Sequence, residues 1–430
     1  MGDESAPLTS RSLNRRAFLG AAVGAGGLLL LSSCLPEPPT PAPTEIPIRD
    51  DFAVELNEQI DAAARGTRIV LPAGASTVRS TIRLRSGVSL EAHPDGSTIV
   101  LADGTDTAFL LGTGVVDVDL VGIRFDGGKQ EQPAVSIQLD GCARVRIDGC
   151  SLIRMKHAVH LYSTRESDAK QITITSCDFD QITDFAIRVD PEVHDVKIIQ
   201  NTVGSVAKGT APSPSAVYLR GRDITVRGNV VRSSYDTGVM AAGSSARNIT
   251  IEGNTLTTDM VAVYFGNGAR SGSIRGNTLV SHRDFGVHVH DSEGRRVDLE
   301  IRENSIGPTG KSGIQIEGVE SAKVVGNTIA DPARMVDNPE YWRAGVAVTT
   351  LKGHGSESIL VDENIIRASD GGMQFGVLLM DGASNVIVTR NQIQGADARS
   401  LQVDIRTSGP YLVEDERGTL VEGRGTIRRW

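Results

Sequence analysis

The chain has 430 residues and a formal net charge of −9, with 23% charged and only 4% aromatic residues. An acidic balance without a basic stripe argues against a nucleic-acid partner, and 4 cysteines are too few for a disulfide scaffold. The 47 glycines in an aromatic-poor chain favour a repetitive β architecture rich in turns over a conventional core.

Residues 1–34 read as an export signal. Arg15-Arg16 before Ala17-Phe18-Leu19 and an apolar run from Ala21 to Leu31 resemble a twin-arginine signal. The run is shorter than the ~20 residues that span a bilayer. Leu31-Ser32-Ser33-Cys34 resembles a bacterial lipobox, which implies cleavage before Cys34 and lipidation of its thiol. Residues 35–49 hold prolines at 36, 38, 39, 41, 43 and 47, and so form an extended, semi-rigid spacer. The expectation is an exported, monomeric protein, lipid-anchored at the outer face of the cell membrane.

Residues 50–66 predict a short helix. Phe52, Leu56, Ile60 and Ala63 share one face, with Asp50 and Asp51 before it and Gly66 after it. Such a helix would cap the open apolar end of a repetitive β body. Next come short strands: Ile69-Val70-Leu71, Ile82-Arg83-Leu84 and Val88-Ser89-Leu90.

The remainder, to residue 430, is an internal repeat. A short alternating strand, Gly-Asn or a similar pair, and a second short strand recur, as in Ile224-Thr225-Val226-Arg227-Gly228-Asn229-Val230-Val231 and Ile249-Thr250-Ile251-Glu252-Gly253-Asn254-Thr255-Leu256. The turn forms one column: Ile123, Cys150, Cys177, Asn201, Asn229, Asn254, Asn277, Asn304, Asn327, Asn364, Asn391. Its spacing, near ~26 residues, means one coil per repeat. Stacked Asn side chains can satisfy the turn backbone. Cys150 and Cys177 fall in consecutive ladder positions, as a disulfide or as two buried thiols. The longest interval inserts a loop around Asp331–Arg343 that carries Tyr341 and Trp342.

On these motifs the body resembles a right-handed parallel β-helix of the pectin-lyase-like superfamily, an all-β solenoid of about eleven to twelve coils. The resemblance implies that the sheet built from Gly/Ala-Val-x-Val strands faces a polysaccharide groove. Alternation gives its outward columns. One runs Ser136, His160, Arg188, Tyr218, Met240, Tyr264, His288, Gln315, Ala347, Leu378. The other runs Gln138, Tyr162, Asp190, Arg220, Ala242, Gly266, His290, Glu317, Thr349, Met380.

The sharpest cluster is His160, Tyr162, Arg188, Asp190, Tyr218 and Arg220. Abstraction of a uronate α-proton needs a cation on the carboxylate, a base, and an acid on the other side. Arg188 or Arg220 could supply the first, and His160 and Tyr218 the others. Asp190 could orient His160 or Arg188, or bind Ca²⁺. The set resembles that of β-helical alginate epimerases and lyases. Asp190-Pro191 also resembles the Asp-Pro-His motif of the epimerases, but Glu192 comes after it and the nearest His is His194.

Tyr162, Arg220, Tyr264, His288, His290, Gln315, Glu317 and Trp342 are candidates for contact with the glycan. His288-x-His290, with Asp284 and Asp291 nearby, could hold a metal, but no third ligand stands at a diagnostic spacing, and no metal site is expected. Paired carboxylates for glycoside hydrolysis would come from Asp190, Asp236, Asp284 or Glu317, no two of which stand on adjacent coils of one column. The expectation is a lyase or C5-epimerase of uronate glycans. The alternatives are a non-catalytic carbohydrate-binding or structural surface lipoprotein, or a glycoside hydrolase.

Overall fold

Asp51 starts the only long helix among the described residues. Its side chain accepts a hydrogen bond from the Ala53 backbone N–H at 3.1 Å, satisfying one of the free donors of the first turn. The helix, α1 (Phe52–Ala62), buries Phe52, Leu56 and Ile60. These side chains join the main interior cluster, which runs through the molecule to Val413, so α1 covers the first open coil as the sequence predicts. The computed structural model describes residues 51–424, except 106–107, 129–134, 165–168, 336, 370–371, 381, 396–400 and 415–419. The export signal, Cys34 and the Pro-rich spacer lie outside the described residues.

Behind α1 the chain winds as an all-β parallel solenoid of about 12 coils. Each coil contributes to three ladders. The first is a 15-stranded sheet from Arg68–Val70 to Leu420–Arg424, parallel until its last strand, which pairs antiparallel with Pro410–Glu414. The second holds short strands such as Val230–Val231, and the third holds Ser215–Leu219, Thr237–Ala242 and their equivalents. Two long strands, Ser151–Tyr162 and Asp178–Val189, run through both.

Stacking identical positions makes continuous apolar columns. Val226, Ile251, Ile274, Ile301, Val324, Val361 and Val388 pair in sequence and are all buried. Each such side chain stabilises the fold by about 1.5–3 kcal/mol. No coil could bury these residues alone, so cohesion comes from neighbouring coils.

The corner between the first and second ladders is an asparagine ladder. Asn254 Oδ1 accepts from both the backbone N and Nδ2 of Asn229, at 2.9 and 3.0 Å. Asn254 in turn donates its own N and Nδ2 to Asn277 Oδ1. The same pair of bonds repeats from Asn201 to Asn391. The preceding residue turns through positive φ, 65° at Gly228, 61° at Gly253 and 60° at Gly276, which explains the recurrent Gly-Asn. Cys150 and Cys177 occupy the next positions as free buried thiols, each with its Sγ near backbone carbonyls.

Candidate functional site

The third ladder carries the side chains that alternation places outward. His160, Arg188, Tyr218, Met240, Tyr264, His288 and Gln315 pair in register, coil on coil. One coil departs from expectation: His160 pairs with Gln138, not Ser136. A slip of two residues preserves the in–out alternation, so the hydrophobic pattern cannot report it.

His160 and Asp190 meet at 2.7 Å between Nε2 and Oδ2. Arg188 Nε donates to Asp190 Oδ1 at 3.0 Å, and its Nη2 to Oδ2 at 3.4 Å. Burial pushes the Asp190 carboxyl up, but His160 and Arg188 outweigh it and hold the group below the usual carboxylate range. A Ca²⁺ at Asp190 would have to displace these donors from both carboxylate oxygens. Tyr162 packs on His160, ring centres 4.7 Å apart, and donates to Gln138 Oε1 at 3.3 Å. Arg220 follows Asp190 in the neighbouring column, its N–H bonded to Val189 O. It is half-buried, and among the described residues its guanidinium meets no acidic partner. His194 departs from the cluster: its strand, Val193–Ile199, belongs to the first ladder.

Three contributors carry no signal in the strand pattern: His157, Asp184 and Phe185. His157 packs 5.2 Å from Phe185, which stacks 5.2 Å from Tyr218. His157 Nε2 lies 3.5 Å from Asp184, which is buried. Burial drives the His157 imidazole down to about 4, so it is neutral at pH 7. Its parity matches inward Val159 and Leu161, and the bulge after Met155 accompanies its placement 6.0 Å from His160.

Further along, His288, His290 and Glu317 converge, their ligand atoms all within 4.8 Å of one another. His288 Nε2 is 3.0 Å from Glu317 Oε2. Burial lowers the His290 imidazole. Burial raises Glu317, but the hydrogen bond and charge of His288 outweigh it and the carboxyl is lowered. Asp284 and Asp291 take other partners, Lys311 at 2.6 Å and Arg295 at 3.3 Å. Tyr264 packs 5.5 Å from His288 and 5.9 Å from His290.

Gln315 corrects one expectation. It is fully buried and donates through Nε2 to Glu317 Oε1 at 3.0 Å, so it supports Glu317 instead of meeting a glycan. Ala347 and Leu378, also expected outward, are buried with Ala344 and Phe375. The inserted loop closes this end: Glu340 accepts from Arg406, which lies 5.1 Å over Phe375. Trp342 lies 3.8 Å from Lys311 Nζ and 6.2 Å from Phe285.

The fold is a right-handed parallel β-helix with one face lined by polar and aromatic side chains. The right handed beta helix region model matches residues 215–416. No curated protein matches the chain. Among solved structures, the A-module of mannuronan C-5 epimerase AlgE6 from Azotobacter vinelandii superimposes with a TM-score of 0.59 at 16% identity, covering 83% of this chain and 94% of its own. The tailspike of E. coli bacteriophage HK620, with a pentasaccharide, superimposes with a TM-score of 0.60 at 14% identity, covering 86% and 78%. An N-terminal fragment of bacteriophage Phi29 gene product 12 matches at 0.58 and 12% identity, covering 89% and 72%. At these identities the likeness is one of fold.

Proposed function

We propose that this protein is an exported, lipid-anchored, polysaccharide-active β-helix that removes the C5 proton of a uronate residue, as a lyase or a C5-epimerase. The observation that carries the reading is the division of labour between two arginines. Arg188 is committed to Asp190, whereas half-buried Arg220 is left to neutralise a uronate carboxylate. With Nε2 donating to ionised Asp190, His160 keeps the Nδ1 lone pair as the base. The C5–H electrons pass into the carboxylate that Arg220 holds. Tyr218, two coil steps of ~4.8 Å from His160, gives its proton to O4 as the C4–O4 bond breaks, or to C5 from the opposite face. A glycan partner accords with the neighbours, an epimerase and a tailspike bound to a pentasaccharide. The anchor and export rest on Arg15-Arg16 and Leu31-Ser32-Ser33-Cys34.

Glycoside hydrolysis is a second reading, favoured by Asp236. Burial raises its carboxyl, and the charge of Asp284 adds to the effect, as suits a general acid. A proton NMR time course with alginate, pectate, glycosaminoglycans and neutral glycans separates the cases. Unsaturated ends or inverted C5 signals support the proposal. New reducing ends without unsaturation move the assignment to Asp236 and Asp284. A flat record across the panel leaves a binding or structural role.

A further inference from the structure

We propose that His288, His290 and Glu317 form a binding site for a divalent transition-metal ion of the Zn²⁺ type, on the same ladder about five coil steps from His160. The residues come from two adjacent coils, paired His290 to Glu317 and His288 to Gln315. Their donor atoms already lie within 4.8 Å of one another, the spacing of ligands that share one small ion. Two imidazoles and one carboxylate make a facial set that leaves coordination positions open. His288 and Glu317 side chains are 14% and 13% exposed, so the cluster keeps access to solvent, where a glycan oxygen or a water would complete the shell. Calcium fits poorly, because it takes six to eight oxygens.

Two further features point the same way. Gln315 Nε2 holds Glu317 Oε1 and also reaches Thr349 Oγ1 at 3.3 Å, the outer-shell bonding that orients a ligating carboxylate. Its Oε1 is buried with no hydrogen-bond partner, an acceptor left over beside the cluster. The column also narrows to Gly266 next to His290. A Cβ there would stand 2.2 Å from His290 O and 3.0 Å from Tyr264 Oη, so glycine keeps that space for the phenol beside the imidazoles.

The test is equilibrium dialysis of the untagged full chain against Zn²⁺ and, separately, Ca²⁺, with bound metal counted by elemental mass spectrometry. One Zn²⁺ per chain is expected, with affinity at least about tenfold weaker in His290→Gln and in Glu317→Gln. Co²⁺ loading gives visible bands that these variants alter. Should a variant misfold, the wild type still decides: Zn²⁺ protects His288 and His290 from diethyl pyrocarbonate, read by peptide mapping. No stoichiometric Zn²⁺, unprotected imidazoles, equal Ca²⁺ uptake, or unchanged binding in both folded variants overturns the site. Because binding is read without turnover, this outcome is independent of the uronate chemistry.

Discussion

His160 and Asp190 lie 2.7 Å apart, although 30 residues separate them in the chain. One turn of the solenoid accounts for most of that separation, since His160 stacks on Arg188 one coil away and Asp190 stands two residues further along the same face. Asp190 thereby fixes the tautomer of His160 and, through its second oxygen, the pose of Arg188. On the proposed reading its role is positional, and the chemistry falls to His160, Tyr218 and Arg220.

Arg220→Ala should lower kcat/KM on the responsive uronate polymer by about 10²–10³-fold, the scale for losing one charge-stabilising donor. Its unfolding free energy should stay within about 0.5 kcal/mol of wild type, because among the described residues the guanidinium has no ion pair to lose. Arg188→Ala should differ by costing stability, about 1–3 kcal/mol, since it strips a half-buried carboxylate of a donor. Urea unfolding beside the kinetic assay reads both. Full turnover in Arg220→Ala removes the carboxylate-binding role.

His157 predicts an acid-sensitive fold. Its folded pKa, about 4, lies below the 6.5 of the free imidazole. The unfolded chain therefore takes up a proton first as pH falls. The stability is complete above pH 6.5, declines between about 6.5 and 4, and levels off below. The full effect is roughly 3 kcal/mol. His157→Gln, which cannot titrate, should flatten that part of the pH profile in urea titrations. An unchanged slope would mean another group causes it.

Asn277→Ala should cost about 2–4 kcal/mol. It removes the acceptor of the Asn254 backbone and side-chain amides, and the donor to Ile251 O, leaving buried groups unpaired. Asn391→Ala should cost less, because Asn391 is only half-buried at the end of the ladder. Chemical denaturation with the two variants side by side checks the ranking.

Cys34→Ser should move the protein from the membrane fraction to the soluble one and abolish incorporation of labelled fatty acid. Replacing Arg15 and Arg16 with Lys should block export. Membrane retention in Cys34→Ser would show that the lipobox resemblance misleads.

Most of the fold was legible in the sequence because a solenoid repeats one local pattern. The Gly-Asn turns, the period near ~26 and the alternating strands each carry their own physical signature: positive φ, coil length and an inward apolar face. The helix α1 was equally readable from Asp51 and one apolar stripe. Three things lay beyond that pattern. A slip of two residues at Gln138 left every side chain on its own face, so alternation could not detect it. His157 came beside His160 through a bulge that breaks the alternation. The pairing of Arg188 but not Arg220, and the meeting of His288, His290 and Glu317, depend on which side chains adjacent coils bring within a few ångströms. Sequence by itself determined the repeat, its N-terminal cap and most of the outward residues, because those are local matters of backbone and burial. Only the stacked structure decided which of them touch, because hydrogen bonds and shared ligands depend on distances between coils that no single repeat contains.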